Sequence, residues 1–401
     1  MALRPAARVR ILFPYLARVR AANWSRYQQL LVARARAGDA VTFLQPPARL
    51  SEETNYREVE AALPGGFRVE EVPLPALFWS TRLPWDKIVK KGAYSVAANR
   101  RARRIVRSGA ADVVLLYNLT QQSLLSLGVP GVFDVADDLP AMLRIEGGIA
   151  GAALEAVARH KLARMVRGAA LVTTPSRVLL KALGPKAVFV PNGIDREEIA
   201  AARRAAGKRA GKRGVSGSAA ALPIGFLGSF EYFIDFDLIL GLAARLPGRP
   251  FRLIGGGRRF AEVAARVRRE ELANVELTGP LPHAEALARL AECAWSLCPF
   301  TRDDVGHGAS PLKLFESLAL ALPVIATNTR EIREEAPPNV RFADSPPEAA
   351  ALIEAEERRP ASDRRTEAED AASAIVETRH WDRIGEEWAA RIRALGSARR
   401  P

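Results

Sequence analysis

Short apolar runs alternate with longer segments of helical periodicity along almost the whole chain of 401 residues. Residues 9–13 are typical of a buried strand, residues 25–37 of a helix and residues 40–44 of the next strand. The same order recurs as far as the strand at 324–326. Strands that alternate with helices pair in parallel, because each helix returns the chain to the starting edge of the sheet. The sequence therefore predicts an α/β protein with helices on both faces of parallel sheets.

Composition divides this pattern into two halves. Residues 196–222 are small, basic and rich in Gly and Ser, which predicts a basic flexible linker. We therefore predict an N-terminal domain over 1–195 and a second domain over 223–376. In open parallel sheets ligands lie beyond the carboxyl ends of the strands, so two such domains would bind substrates in a cleft between them.

The segment 306–327 carries the clearest functional signal, because it combines a loop, a helix start, a helix and a strand. Ser310 is a favourable N-cap and Pro311 suits the first helical position, so the free backbone N–H groups of this helix start could bind an anion. Lys313 adds a positive charge in the first turn. Glu316 lies about 4.5 Å further along the axis, which resembles the step from a diphosphate to the ribose of the same nucleotide. The alternative is an ordinary capped helix with a surface Lys–Glu pair.

Two glycine turns favour the nucleotide interpretation. The sequences FLGS at 226–229 and LIGGG at 253–257 each follow a strand, and glycine there would let a phosphate or a sugar approach the backbone. The dinucleotide fingerprint G-x-G-x-x-G is not matched, because Phe260 occupies the third glycine position of the second turn. The pattern predicts a nucleoside diphosphate held by loops and one helix start.

Taken in order, these and other motifs resemble bacterial GT-B glycosyltransferases of the glycogen-synthase-like superfamily (group 1, retaining), especially the branch that builds cell-surface polysaccharides. The matching segments are WSRYQQL at 24–30, FDVADD at 133–138, TPS at 174–176, VPNGID at 190–195, FLGS at 226–229, PF at 299–300, SPLKLFE at 310–316 and HWD at 380–382. The resemblance implies two Rossmann-like domains facing each other across a cleft, and a last helix, 377–398, that returns to the N-terminal domain.

The resemblance also implies that the second domain binds a nucleotide diphosphate-sugar. Glu316 would bind the ribose, Lys313 and the backbone at Ser310 the diphosphate, and Pro280 and Leu281 the base. The complete set of donor-binding residues predicted in this way is Gly228, Ser229, Gly255, Gly256, Pro280, Leu281, His307, Ser310, Pro311, Leu312, Lys313 and Glu316. The chain departs from the family at Gly308, where an acid would complete a Glu-x7-Glu motif.

Asp134, Asp137 and Asp138 follow an apolar strand of the first domain and are the candidate catalytic residues. Helix N-capping by Asp137 or Asp138 is the structural alternative. The resemblance places Trp24 and Arg26 on the side of the acceptor, a carbohydrate or a lipid-linked sugar.

The stereochemistry of transfer stays open between two mechanisms. A retaining enzyme needs no protein nucleophile, whereas in an inverting, glucuronosyltransferase-like enzyme Asp137 would be the general base. We expect no metal site and no cofactor, because the charge of Lys313 and the helix start would stabilise the leaving diphosphate. A nucleotide-sugar epimerase or a glycan phosphorylase on the same fold is the alternative enzyme class.

The net charge is +14, from 59 Lys+Arg and 45 Asp+Glu, and arginine carries most of it. A basic RNA-binding protein is therefore the non-enzymatic alternative, but the chain lacks an aromatic recognition motif and we expect no nucleic-acid partner. The densest basic stretch follows an aromatic loop within 73–107, which suggests contact with an anionic membrane surface. The alternative there is a packed helix with the aromatic residues in the core.

Localisation follows from two absences in the sequence. No run reaches the roughly 18 apolar residues that cross a bilayer. Cys293 and Cys298 are too few for a disulfide framework. We expect a cytoplasmic protein that is at most peripheral on the inner face of the plasma membrane.

Overall fold

The computed structural model describes residues 8–19, 25–47, 63–74, 86–215, 222–335 and 338–397. The chain divides into two compact units. The first comprises Met1–Pro191 together with Asp382–Pro401, and the second comprises Asn192–Trp381.

The first unit contains a seven-stranded parallel sheet in the order β3-β2-β1-β4-β5-β6-β7. Most of its strands are apolar and buried along their length, as expected for a parallel sheet that is covered on both faces. The strands are β1 Arg10–Pro14, β2 Ala40–Gln45, β3 Phe67–Glu71, β4 Val113–Leu116, β5 Gly131–Asp134, β6 Leu171–Thr174 and β7 Ala187–Phe189.

Helices of the first unit follow these strands in the alternation that the sequence predicts. They are α1 Arg26–Arg36, α2 Asp86–Arg107, α3 Leu139–Glu146, α4 Gly151–Gly168 and α5 Arg177–Leu183, with a 3-10 helix at Leu119–Leu124. The last helix of the chain, Trp381–Ser397, belongs to this unit from Asp382 onward. Its Glu386 accepts a 2.8 Å hydrogen bond from Arg34 of α1. The predicted return of the last helix to the N-terminal domain is thereby confirmed.

The second unit contains a six-stranded parallel sheet in the order β10-β9-β8-β11-β12-β13. Phe226, Phe230 and Phe236 pack at its centre with ring centroids 5.0–6.0 Å apart. The strands are β8 Ile224–Leu227, β9 Phe251–Ile254, β10 Val275–Gly279, β11 Trp295–Cys298, β12 Val324–Ala326 and β13 Val340–Phe342.

The helices of the second unit begin with a difference from the sequence prediction. Residues 196–222 were expected to form a flexible linker, but α6 extends over Arg196–Val215. The residues that suggested a linker are mainly Ala, Arg and Lys, which are strong helix formers, and Glu197 and Glu198 complement the positive end of the helix. Ile199 and Ala202 are buried against the unit's core.

The remaining helices of the second unit lie between and after its strands. They are α7 Phe236–Arg245, α8 Phe260–Arg269, α9 His283–Leu290, α10 Asp304–Gly308, α11 Leu312–Ala319, α12 Arg330–Glu335, α13 Pro346–Glu357 and α14 Ala361–Thr378, and the last helix, Trp381–Ser397, is α15.

The stretch 73–107 is described only in part, because residues 75–85 with the aromatic loop lie outside the described residues. Within α2, Ile105 and Val106 are buried, as the packed-helix alternative predicts. Arg100, Arg104 and Arg107 are exposed at helical spacing. Among the described residues, no helix is both long enough and apolar enough to cross a membrane.

Candidate functional site

The predicted anion-binding helix is α11, but its start differs from the prediction. Pro311 rather than Ser310 is the N-cap residue, and no side chain caps the helix. The hydroxyl of Ser310 is instead buried and has no hydrogen-bond partner among the described residues, while its carbonyl accepts a 2.6 Å hydrogen bond from Asn192 Nδ2. Because proline has no polar side chain, the N–H groups of the first turn, at Leu312 and Lys313, remain uncapped by any side chain.

Lys313 is half-buried in the first turn of this helix. Its Nζ lies 4.6 Å from the ring centroid of Phe226 and 5.0 Å from that of Phe300. Burial lowers the pKa of Lys313 to about 8, although the charge of Glu316 partly offsets this. Among the described residues no carboxylate lies within ion-pairing distance of Nζ. Within the described parts of the chain, the ammonium contacts aromatic rings rather than a carboxylate.

Three of the predicted glycines lie close to Lys313 or to each other's turns. Gly228, with φ +153, passes so close to Lys313 that a Cβ would lie 2.5 Å from Nζ. A Cβ on Gly255, with φ +133, would overlap the carbonyl oxygen of Gly228. A Cβ on Gly256 would lie 3.1 Å from the ring of Pro280. The two glycine turns thus meet each other, and both need glycine.

The other predicted donor residues lie around these turns. Ser229 is exposed beside Gly228, and Leu281 packs on the core of the unit. His307 lies in α10, where Nδ1 accepts a 3.2 Å hydrogen bond from the backbone N–H of Arg330. Burial and the charge of Arg330 lower the pKa of His307, so its imidazole is neutral at pH 7.

Glu316 is buried, with 5% of its surface exposed, and it has a partner that the sequence did not reveal. His283 Nε2 lies 2.9 Å from Glu316 Oε1, and His283 Nδ1 lies 2.6 Å from Glu198 Oε2. His283 opens α9 directly after the predicted base-binding turn, which is the only sequence signal that could have indicated it. Glu198 lies in the segment 196–222, for which composition predicts a linker, so nothing in the sequence led us to expect it at this site.

In the first unit, Asp134 and Arg26 form a buried ion pair. Arg26 donates to both carboxylate oxygens, with Nε–Oδ2 at 3.0 Å and Nη2–Oδ1 at 3.1 Å, and also to the carbonyls of Val190 and Pro191. Thr173, opposite Asp134 on β6, donates a 2.5 Å hydrogen bond to Oδ1. Both side chains therefore also serve the packing of this unit, and the catalytic role of Asp134 and the acceptor contact of Arg26 stay predictions.

Asp138 follows the structural alternative, since it caps α3 by accepting a 3.0 Å hydrogen bond from the N–H of Ala141. Asp137 lies between Asp134 and Asp138 and is exposed as a whole residue. The surrounding protein still reduces its hydration and, with the charge of Asp134, raises the pKa of Asp137 to about 6. Asp137 stays a predicted catalytic residue, as do Asp134 and Asp138. The predicted acceptor residue Trp24 lies outside the described residues.

In the part of the chain that the structure describes, no group of three or more His, Cys, Asp or Glu side chains is arranged to hold a metal ion. In the second unit Lys313 and the start of α11 each carry positive charge.

Sequence comparisons find similarity in part of the second unit. Residues 223–357 match the family model described as "Glycosyl transferases group 1". The putative teichuronic acid biosynthesis glycosyltransferase TuaH of Bacillus subtilis is 28% identical over 139 residues, which is 35% of this chain. That alignment spans only 34% of the length of this curated relative.

Structural comparisons cover nearly the whole chain. The sucrose-phosphate synthase of Thermosynechococcus elongatus superimposes with a TM-score of 0.71 and 14% identity, over 98% of this chain and 100% of that one. Anabaena HepE in complex with UDP-glucose gives a TM-score of 0.64 and 15% identity, over 96% of this chain and 100% of that one. These likenesses confirm the GT-B fold that the sequence predicts.

Proposed function

We propose that this chain, whose residues 223–357 belong to the group 1 glycosyltransferases and whose fold is GT-B, transfers a sugar from a nucleotide diphosphate-sugar to a carbohydrate or lipid-linked acceptor. The product would be a surface polysaccharide or glycoconjugate. The observation that carries the proposal is the half-buried ammonium of Lys313, held against Gly228 at an uncapped helix start. Glu316 lies in the same helix and would bind the ribose of the nucleotide.

The chemistry of the site supports transfer from a diphosphate. A leaving nucleoside diphosphate gains negative charge as the glycosidic bond breaks, and fixed positive groups stabilise that charge most effectively where water is excluded. Lys313 and the start of α11 supply such groups, so transfer would need no metal ion. Because HepE was solved with UDP-glucose and TuaH is named for teichuronic acid synthesis, uridine nucleotides are the first donors to test.

We expect a single nucleotide family to raise the melting temperature in a thermal-shift panel of nucleoside diphosphates and their sugars. At 100 times Kd the stabilisation is about 2.7 kcal/mol, or roughly 3 °C for a protein of this size. Glu316→Ala should abolish the shift, whereas Glu354→Ala, an exposed carboxylate on α13, should preserve it. A panel in which no nucleotide stabilises the wild-type protein would contradict the proposed function.

We further propose that transfer retains the configuration at the anomeric carbon. The leaving diphosphate would take the acceptor proton on the same face of the sugar, and Asp137 would only orient the acceptor hydroxyl. Asp137→Asn keeps the shape of the side chain and should lower kcat by less than about 10-fold, since general-base catalysis would contribute about 10²–10⁴-fold. NMR of the product anomer gives the stereochemical outcome directly.

The pH profile separates the two mechanisms further. A general base must be deprotonated, so a base with the pKa of Asp137 would make kcat/KM fall as the pH drops through about 6. Loss of that limb in Asp137→Asn, together with a large loss of turnover and an inverted product, would identify an inverting enzyme with Asp137 as its base.

A contact with an anionic membrane surface, on the cytoplasmic face, is the last part of the proposal. Arg100, Arg104 and Arg107 form an exposed row on α2. Helix α4 packs on the same 3-10 helix as α2 and exposes Ile149 just before its start and Val157 within it. Basic and apolar side chains on one side of the sheet are typical of an interfacial contact.

Vesicle sedimentation tests this contact. Binding to vesicles with phosphatidylglycerol at low salt is expected, with no binding to phosphatidylcholine alone. Replacing Arg100, Arg104 and Arg107 together by Gln should weaken binding about 100-fold, since each basic residue contributes about 1 kcal/mol near an anionic surface. Equal sedimentation with both kinds of vesicle, or with neither, would refute the contact.

A further inference from the structure

His283 lies between two carboxylates contributed by two other helices of the second unit. Its ring nitrogens are 2.6 Å from Glu198 of α6 and 2.9 Å from Glu316 of α11. Only 14% of the histidine side chain and 6% of the Glu316 side chain are exposed, against 29% for Glu198. The three side chains therefore form a largely buried carboxylate–imidazole–carboxylate chain that ends at the predicted ribose-binding group.

The two distances indicate which protonation state of His283 suits this carboxylate–imidazole–carboxylate arrangement. A neutral imidazole donates from one nitrogen only, so one of the two carboxylates would face a lone pair. An imidazolium donates from both nitrogens and satisfies both carboxylates. Burial alone disfavours the charged ring, but the charge of Glu316 and the two hydrogen bonds outweigh it and raise the pKa of His283 to about 10.

The hydrogen bond to His283 also leaves part of Glu316 available. Within the described residues the side chain of Glu316 accepts no other hydrogen bond, so Oε2 and the second lone pair of Oε1 are not used inside the protein. A carboxylate fixed at one oxygen is pre-organised to accept hydrogen bonds from two neighbouring hydroxyl groups. Pre-organisation of this kind lowers the entropic cost of binding.

We propose that His283 is a positioning residue for the donor: held by Glu198, it orients Glu316 so that the carboxylate accepts both the 2′- and the 3′-hydroxyl of the nucleotide ribose. The proposal rests on the proposed function, because it requires a ribonucleotide at this site. It adds that selectivity for ribose depends on His283 of α9 and Glu198 of α6, although neither residue touches the nucleotide.

A purely structural role, in which His283 only ties α6 to α9 and α11, predicts a different result. Loss of a purely structural contact between these helices would lower the melting temperature and would change the affinity for all nucleotides alike. Loss of a positioning group would weaken the binding only of nucleotides that carry the ribose hydroxyls. The ratio of affinities for a ribonucleotide and its 2′,3′-dideoxy counterpart therefore separates the two roles.

The experiment measures Kd by calorimetry for the tightest binder among UDP, GDP and ADP, and for the matching 2′,3′-dideoxynucleoside diphosphate. Hydrogen bonds to a charged group contribute about 1.5–3 kcal/mol, so the wild-type protein should prefer the ribonucleotide by about 10- to 100-fold. In His283→Ala this preference should fall below about 3-fold, because the ribonucleotide binds more weakly while the dideoxynucleotide binds as before.

Two further variants keep the test decisive if His283→Ala folds poorly. His283→Gln can still donate one hydrogen bond to Glu316 and should recover part of the preference. Glu198→Gln keeps an acceptor for the histidine Nδ1–H without the charge and should give an intermediate preference. Circular dichroism establishes that each variant is folded.

The outcomes distinguish the inference from the proposed function. A wild-type protein that binds none of the three ribonucleotides overturns both. A wild-type preference that is lost in Glu316→Ala but unchanged in the His283 and Glu198 variants overturns the role of His283 and leaves the nucleotide site intact.

Discussion

Lys313→Ala should lower kcat/KM for the nucleotide-sugar by about 10²–10³-fold, the loss typical when one preorganised group that stabilises transition-state charge is removed. Lys313 is the cation held against Gly228 and two phenylalanine rings, with no carboxylate of the described residues at ion-pairing distance. A diphosphate bound there would therefore be its natural counter-charge. Steady-state kinetics with the donor identified by the thermal-shift panel measures the effect.

The pH dependence of Lys313 gives a second readout. Because its pKa is lowered to about 8, the ammonium loses its proton, and with it the attraction for a diphosphate, as the pH rises through about 8. Wild-type kcat/KM should therefore fall on the alkaline side, and this limb should be absent from Lys313→Ala. Lys161→Ala, at an exposed position of α4, is the matched control and should retain full activity. An alkaline limb that is unchanged in Lys313→Ala would show that Lys313 does not carry the phosphate charge.

Arg26→Met should reduce the free energy of unfolding by about 3–5 kcal/mol, because it leaves the buried carboxylate of Asp134 without its partner. The Arg26 and Asp134 side chains are 5% and 2% exposed, so water cannot replace the lost interaction. Urea denaturation measures the change. The double variant Arg26→Met with Asp134→Leu removes both charges and should lose less stability than the sum of the two single variants.

The exposed pair Arg10–Asp112 provides the control for this experiment. Its side chains are 47% and 42% exposed, and Arg10→Met should cost at most about 1 kcal/mol. A stable Arg26→Met protein with a raised KM for the acceptor would instead support the predicted acceptor contact of Arg26. That result would mean that the guanidinium serves the substrate rather than the fold.

Much of the fold was predictable because its signals are local. The strand at Ile224–Leu227 and the helix at Phe236–Arg245 lie where apolar periodicity predicts them. The same holds for the glycine turns, since only glycine adopts the φ of +153 at residue 228. The segment from residue 196 onward was misjudged because its arginines, lysines and alanines suit a mobile linker and an exposed helix equally well. Packing of Ile199 and Ala202 on the second unit decides in favour of the helix.

The sequence by itself determined most of the elements and their order, and the residue types that could hold a nucleotide diphosphate, with Lys313 and Glu316 on one helix. Only the tertiary structure decided which charged groups pair. Arg26 meets Asp134 across 108 positions of sequence, and His283 meets Glu198 across 85. Periodicity records which face of an element is buried, but a partner depends on which elements the sheet topology brings side by side. For that reason the Arg26–Asp134 ion pair and the contacts of His283 with Glu198 and Glu316 became visible only in the tertiary structure.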